Sequence, residues 1–237
     1  FANSILISGD AGTGTLSSAD GNTGVGTGVF AALTTGDNNV AVGLCSLNKN
    51  TTGGCNVAVG RIALCANTTG ANNTAMGASA LQSSTTGDSN TATGKSALTA
   101  NTTGTLNTAV GFGALLANTT GNNNVAIGFC ANATAVDRND NTAVGHEALK
   151  VNTAIGNTAF GKAAADSNTS ATGITAIGNR ALCSNTTGAN NTAVGLCAMR
   201  TSTTGANNTT VGMCSLFANT TGASNVAIGV EASKTNT

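Results

Sequence analysis

A glycine returns every seventeen residues along almost the whole of this 237-residue chain. Each one closes a five-residue box, such as residues 107–111 (Asn-Thr-Ala-Val-Gly), and a single step of sixteen residues separates Gly145 from Gly161. A fixed short period means that one small structural unit stacks on copies of itself, so we expect a repeat protein. The thirteen box glycines are Gly26, Gly43, Gly60, Gly77, Gly94, Gly111, Gly128, Gly145, Gly161, Gly178, Gly195, Gly212 and Gly229.

The composition favours a narrow coil. The chain has 32 Gly, no Pro, Trp or Tyr, and only 8% charged residues. Small side chains cannot fill a wide core, so the backbone has to pack closely against itself. The formal net charge is zero and no basic run is present, which argues against nucleic-acid partners. No apolar stretch approaches the roughly 18–20 residues of a membrane span, so we expect no membrane insertion.

The repeat itself predicts β structure. Aligned on the box, it reads Asn-(Thr/Val)-Ala-(Val/Ile)-Gly-x-x-Ala-Leu-x-x-Asn-Thr-Thr-Gly-x-x. Seventeen residues are too few for a helical hairpin, whereas two short extended segments separated by glycine turns fit. We therefore predict an all-β fold, a parallel β-solenoid of about 13 coils over residues 22–237. Residues 1–21 do not fit the repeat and are predicted to be an N-terminal cap or connecting segment.

Three columns of the repeat are predicted to be structural. Within a box, Thr108 and Val110 should point to one face and Ala109 to the other. Leucines four residues after the glycine should supply most of the buried apolar area, and the asparagines that open the boxes should form an amide ladder. The alanine column is so small that another backbone must approach it, either across a narrow coil or from a neighbouring chain. We assign it as an oligomer interface formed by Ala41, Ala58, Ala75, Ala92, Ala109, Ala126, Ala143, Ala193 and Ala227.

The repeat is irregular over about residues 130–174, and this region is rich in charge. Irregular loops on a rigid scaffold often carry binding sites, and the candidate ligand-contacting residues here are Asp137, Arg138, Asp140, His146 and Glu147. The alternative is an eroded repeat whose charges face solvent. A lone His near acidic groups, without a nucleophile, is weak evidence for catalysis. Because catalytic, cofactor and metal motifs are absent, we expect neither an enzyme nor a bound cofactor.

Two further columns leave alternatives open. The position after each box glycine is variable, which predicts an outward column, and its apolar members suggest lateral contacts unless repeat packing buries them.

The seven cysteines form no Cys-x-x-Cys pair, and four of them fall two residues after a box glycine. A small apolar filler is the simplest role for them, while a bridge between Cys197 and Cys214 or between chains is an alternative. Asn-x-Thr sequons such as the one at Asn67 arise automatically from the repeat and decide nothing by themselves.

The boxes at residues 107–111 and 225–229, with the Ala-Leu that follows the first of them and most of the others, resemble a known repeat. They are similar to the head repeats of trimeric autotransporter adhesins (the YadA-like head) and to arrays in phage and viral tail fibres. The resemblance covers about residues 22–233. It implies a left-handed parallel β-roll, three of which pack around a threefold axis as a homotrimer. It also implies an extracellular, virion-surface or cell-surface location and attachment to a host cell surface, matrix or glycan receptor.

Three functions follow as hypotheses. The first is a structural and adhesive fibre segment on a virion, phage tail or cell surface. The second is a self-assembling extracellular filament subunit, in which residues 1–10 complete the last coil of the next subunit. The third is an ice-binding β-solenoid; here the adjacent Thr68 and Thr69 should take opposite faces, so only one threonine rank would face water.

Overall fold

The computed structural model describes residues 5–7 and 18–235, and the chain divides into two compact units, residues 1–122 and 123–237. The described residues form an all-β parallel β-solenoid without helices, with one three-residue strand in each repeat of about seventeen residues. The first unit contains β1 (Ile5–Ile7), β2 (Thr23–Val25), β3 (Val40–Val42), β4 (Val57–Val59), β5 (Thr74–Met76), β6 (Thr91–Thr93) and β7 (Thr108–Val110). The second contains β8 (Val125–Ile127), β9 (Thr142–Val144), β10 (Thr158–Phe160), β11 (Thr175–Ile177), β12 (Thr192–Val194), β13 (Thr209–Val211) and β14 (Val226–Ile228).

Within each unit, successive strands pair in parallel with equivalent repeat positions side by side. Ala58 pairs with Ala75, for example. The sixteen-residue step does not break this register, because Ala159 pairs with Ala143. The missing residue is therefore absorbed in the turn. At the N-terminal end of the first unit, β1 pairs in parallel with β2 of its own chain. The predicted joining of subunits through residues 1–10 falls mostly outside the described residues and stays a prediction.

The box glycines are required by close stacking of the backbone. Gly60 has φ of +138°, and a Cβ added to it would lie 2.6 Å from the carbonyl oxygen of Gly77 in the next turn. Nearly every other described box glycine repeats this geometry one turn further on. A side chain at this position would have both an unfavourable φ and a clash with backbone, which explains the seventeen-residue period of glycine.

The predicted asparagine ladder is confirmed. The backbone N–H of Asn56 donates to Oδ1 of Asn39 at 2.9 Å, and Nδ2 of Asn39 donates to Oδ1 of Asn22 at 3.0 Å. Nδ2 of Asn39 also donates to the carbonyl of Gly53 at 3.0 Å. These asparagines are fully or almost fully buried, so their amides satisfy one another and the backbone where water cannot reach.

A second buried ladder was not predicted from the sequence. It is built by the asparagine of the Asn-Thr-Thr-Gly segment: Nδ2 of Asn67 donates to Oδ1 of Asn50 at 2.8 Å and to the carbonyl of Gly70 at 2.9 Å. Serine replaces asparagine at two places in this column, Ser84 and Ser202. Repeats that keep this asparagine are therefore held by two internal rows of side-chain amides as well as by their strands.

The predicted leucine column is also confirmed. Its members have no exposed surface, although their φ values lie between +46° and +52°, a region that disfavours leucine. The strain costs about 1–2 kcal/mol per residue. Burying a leucine side chain contributes about 1.5–3 kcal/mol, so burial offsets the strain. The column comprises Leu47, Leu64, Leu81, Leu98, Leu115, Leu149, Leu182 and Leu216.

The irregular region keeps the same fold. Of the two boxes that run together there, only the second, residues 157–161, forms a strand. Asn152, which opens the first, instead joins the second ladder, where its Oδ1 accepts from Nδ2 of Asn168 at 2.9 Å. Asn132 replaces a leucine and is fully buried, and Nδ2 of Asn152 donates to it at 3.4 Å. Substitutions are thus accommodated inside the coil without interrupting the sheet of this unit.

Candidate functional site

The alanine column lies inside the coil. Ala41, Ala58, Ala75, Ala92, Ala109, Ala126, Ala143 and Ala193 have no exposed surface in the single chain, and Ala227 has 4%. The backbone that requires these small residues therefore belongs to the chain itself, the first of the two alternatives. Side chains enclosed in this way offer no surface to a second chain, so the assignment of the column as an oligomer interface loses its basis.

One exception identifies the opposite wall of the coil. Thr210 occupies the alanine column and is fully buried. Its hydroxyl is hydrogen-bonded to that of Ser215, which also donates to the carbonyl of Gly212 at 2.9 Å. Five residues separate Thr210 from Ser215, and in most other repeats both positions hold alanine. The two small columns consequently face each other across the coil, and at this repeat both carry a hydroxyl.

The outer face of each sheet is an exposed surface that the sequence analysis did not single out. The first and third residues of each described strand from β2 onward point outward, the first mainly Thr or Val and the third mainly Val or Ile. Large apolar side chains here are substantially exposed: Met76 by 46%, Ile127 by 40% and Phe160 by 56%. The described strands contain no Lys, Arg, Asp or Glu. Each unit therefore presents a regular, uncharged and partly apolar sheet face.

A second exposed column flanks this face. The residue after the box glycine is outward, as predicted, and its large apolar members are 43–69% exposed. The aromatic members contact neighbours on adjacent turns: Lys95 Nζ lies 5.8 Å from the ring centroid of Phe112, and Phe129 stacks on His146 at 5.1 Å. The exposed apolar residues are Leu44, Phe112, Phe129, Leu196, Met213 and Val230.

The candidate residues of the irregular region form two groups. In one, Arg138 contacts Asp137 at 3.3 Å, and Asp140 accepts a hydrogen bond from Asn123 at 3.2 Å. In the other, Glu147 lies 3.7 Å from His146 and 2.7 Å from the Lys150 ammonium. The described residues show no hydrogen bond or ion pair that joins the two groups.

The second group is a surface charge cluster. The hydrogen bond from Lys150 holds the pKa of Glu147 below its ordinary value, and the same bond raises the pKa of Lys150. Both side chains are partly exposed, so solvent screens their interaction. These features match the alternative in which the charges face solvent.

The two threonines of the Asn-Thr-Thr-Gly segment differ in exposure. Thr68 is half-buried and its hydroxyl donates to the carbonyl of Thr85 at 2.9 Å, while Thr69 is exposed. One threonine rank thus faces water, as predicted. Sequon asparagines of this segment, such as Asn67 and Asn185, are fully buried, so the folded coil has no room for a glycan on them. Sequon asparagines at another repeat position, Asn72, Asn190 and Asn207, are exposed.

In the described part of the chain there is no pocket, and no group of three or more His, Cys, Asp or Glu side chains is placed to hold a metal ion. Nor does that part contain a helix long and apolar enough to cross a membrane.

Comparison of the chain with protein-family models, with curated proteins and with solved structures gave no match.

Proposed function

We propose that this protein is a structural and adhesive fibre segment that functions as a homo-oligomer. The observation that carries the proposal is the uncharged, partly apolar outer face of the sheet, repeated turn after turn. Contiguous exposed apolar surface of this kind marks interaction sites. Depletion of charge is the compositional signature of the centre of a protein–protein interface.

In the assembly, sheet faces of several copies pack against one another. A homotrimer of left-handed coils around a threefold axis is the arrangement that the resemblance to adhesin heads implies. Each copy would bury its outward Val, Ile and Met side chains in the centre, in place of the alanine column first assigned to this role. The charged and polar columns would remain outside.

Those outer columns are the surfaces proposed for attachment to a host cell surface, matrix or glycan. They include the exposed Phe129 and the charged group around Glu147, both in the second unit. On a virion, phage tail or cell surface, these outer columns would face the target. The two amide ladders would keep the scaffold rigid while the outer positions vary.

Mass in solution tests the proposal. Light scattering should give three times the chain mass, 3 × 22.7 = 68.1 kDa, at every concentration. Met76→Lys places a charge in the sheet face and should return the mass to 22.7 kDa. Thr86→Lys places the same charge at an exposed position outside the strands and should leave the mass unchanged. A monomeric wild-type protein would refute the proposal.

Mass that grows with concentration would instead favour the self-assembling filament. A monomer would favour the third hypothesis, ice binding, which one specific observation supports. Thr91 and Thr93 both lie on the outward sheet face, and most other strands place Thr and Val in the same two rows. Parallel strands about 4.8 Å apart turn these rows into a regular two-rank array. Measurement of thermal hysteresis decides this case, since its absence would remove the hypothesis.

A further inference from the structure

Two columns of the repeat meet at the corner that follows each box glycine. In each turn, the side chain five residues after the box glycine reaches back to the preceding turn. There it meets the backbone of the residue that lies two positions after the box glycine of that preceding turn. The hydroxyl of Thr99 donates to the carbonyl of Ser79 at 2.9 Å, and Nδ2 of Asn48 donates to that of Gly28 at 2.7 Å. A γ atom at the fifth position therefore lies directly beside the second position of the turn before.

Cysteine occupies both positions at one such corner, Cys45 and Cys65. The Cys65 sulfur occupies the same γ position as the Thr99 hydroxyl, so it is placed beside the backbone of Cys45 as that hydroxyl is beside the backbone of Ser79. Both are free thiols and both are half-buried. The backbone N–H of Lys49 donates to the carbonyl of Cys65 at 3.1 Å, which holds the two turns together at this corner. Equivalent positions of successive turns lie about 4.8 Å apart, and Cys65 lies three positions beyond the equivalent of Cys45, so the two thiols belong to adjacent turns at one corner.

The electrostatics agree with this proximity. Burial raises the pKa of the Cys65 thiol, the nearby Cys45 raises it further, and the Lys49 ammonium lowers it. At the corresponding corners of other repeats, the cysteines have different partners: Lys150 lies opposite Cys130 and Lys234 opposite Cys214. Among the turns that the structure describes, the corner of Cys45 and Cys65 is the one that brings two thiols together in this way.

We propose that Cys45 and Cys65 are a redox-sensitive pair that closes to an intrachain disulfide and covalently joins two successive turns of the first unit. The oxidant is a small-molecule disulfide such as oxidised glutathione. One cysteine thiolate attacks a glutathione sulfur and releases one glutathione thiol. The second cysteine thiolate then attacks the mixed disulfide and releases the other. In sum, the two protein sulfurs are oxidised, one glutathione disulfide is reduced to two thiols, and the two cysteine protons are transferred to them.

The test counts thiols in the full chain. After incubation with oxidised glutathione at mildly alkaline pH, alkylation and intact-mass measurement should show the seven free thiols falling to 7 − 2 = 5. Peptide mapping should place the new bond between Cys45 and Cys65. The denaturant midpoint of unfolding should rise on oxidation and return to its reduced value on reduction.

Matched variants make the assignment specific. Cys45→Ser and Cys65→Ser should each form no intrachain bond, so the partner cysteine stays free or stops as a mixed disulfide that adds one glutathione to the mass, whereas Cys197→Ser should lose two of its six thiols to the bond as the wild type does. Cys55→Ser removes the one exposed thiol among the seven, which lowers cross-linking between molecules, and should leave the intrachain bond intact. Seven unreacted thiols, or a bond between Cys197 and Cys214 instead, would overturn the proposal.

Discussion

Serine at position 84 interrupts the second amide ladder, and restoring asparagine there should stabilise the protein. Oδ1 of Asn67 and Oγ of Ser84 are both buried without a hydrogen-bond partner. In the turn after Ser84, Nδ2 of Asn101 donates to the carbonyl of Gly104. In the turn before Ser84, Oδ1 of Asn67 receives no hydrogen bond, because Ser84 has no amide to donate one. The interruption is thus confined to one side chain.

The structure sets the magnitude. Asparagine at position 84 would donate to Oδ1 of Asn67 and to the carbonyl of Gly87, and would accept from Nδ2 of Asn101. Equivalent bonds elsewhere in the ladder measure 2.8, 2.9 and 3.1 Å. Three buried hydrogen bonds contribute about 0.5–1.5 kcal/mol each. Ordering the longer side chain costs about 1 kcal/mol. The free energy of unfolding should therefore rise by about 2 kcal/mol.

Guanidinium unfolding followed by circular dichroism measures this difference, and amide hydrogen exchange locates it. Ser84→Asn should slow exchange in its own turn and the two beside it, because coupling in a repeat protein runs between nearest neighbours. Two controls isolate the ladder. Ser84→Ala removes only an unpartnered hydroxyl, and Ser83→Asn adds the same amide outside the ladder. Each should stay within about 0.5 kcal/mol of the wild type.

A loss of stability in Ser84→Asn would mean that the space at position 84 is too small for the amide. A gain no larger than that of Ser83→Asn would mean that the ladder bonds contribute nothing net. Either result would refute the reasoning from the ladder geometry.

Three further predictions follow from the stacking. Gly77→Ala should destabilise more than Gly229→Ala by about 1–3 kcal/mol in denaturant unfolding, because both have large positive φ but only the first would clash with backbone, at 2.5 Å against 3.9 Å to the nearest atom. A double-mutant cycle of Thr210→Ala and Ser215→Ala should give a coupling of about 1 kcal/mol, and zero coupling would contradict the facing columns. Burial, with a contribution from a nearby carboxylate, raises the pKa of Cys183 from 9.0 to about 11. The unfolded chain therefore loses this proton first, so stability should fall as pH rises through that interval, and Cys183→Ala should flatten the slope.

The repeat made much of the interior predictable. The box marks each strand, glycine marks the backbone contact, and the leucine and box-asparagine columns were assigned correctly because a residue type recurring at one phase signals one environment. The ladder through Asn50 and Asn67 was missed because Asn-Thr-Thr-Gly has the composition of a surface turn. In the structure, Leu64 has a positive φ three residues before Asn67, and the turn that it forms places the Asn67 side chain inside the coil. The sequence does not show this turn.

The candidate sites were harder to place. A column of small residues indicates a close backbone but not whose backbone it is, so the alanines were assigned to a contact between chains. The outward sheet face escaped notice because its Thr and Val residues also suit a buried strand. The pairing of Cys45 with Cys65 crosses twenty residues and a turn, and neither residue alone predicts it.

The sixteen-residue turn that leaves the strand register intact has a consequence for how such a gene can change. Since Ala159 and Ala143 remain paired despite the missing residue, a local deletion is absorbed where it occurs and is not passed on to later turns. Duplication or loss of a whole repeat would be milder still, because every turn offers its neighbour the same two surfaces. We therefore expect length variation in whole repeats among alleles of this gene, with the interior chemistry of each remaining turn unaltered.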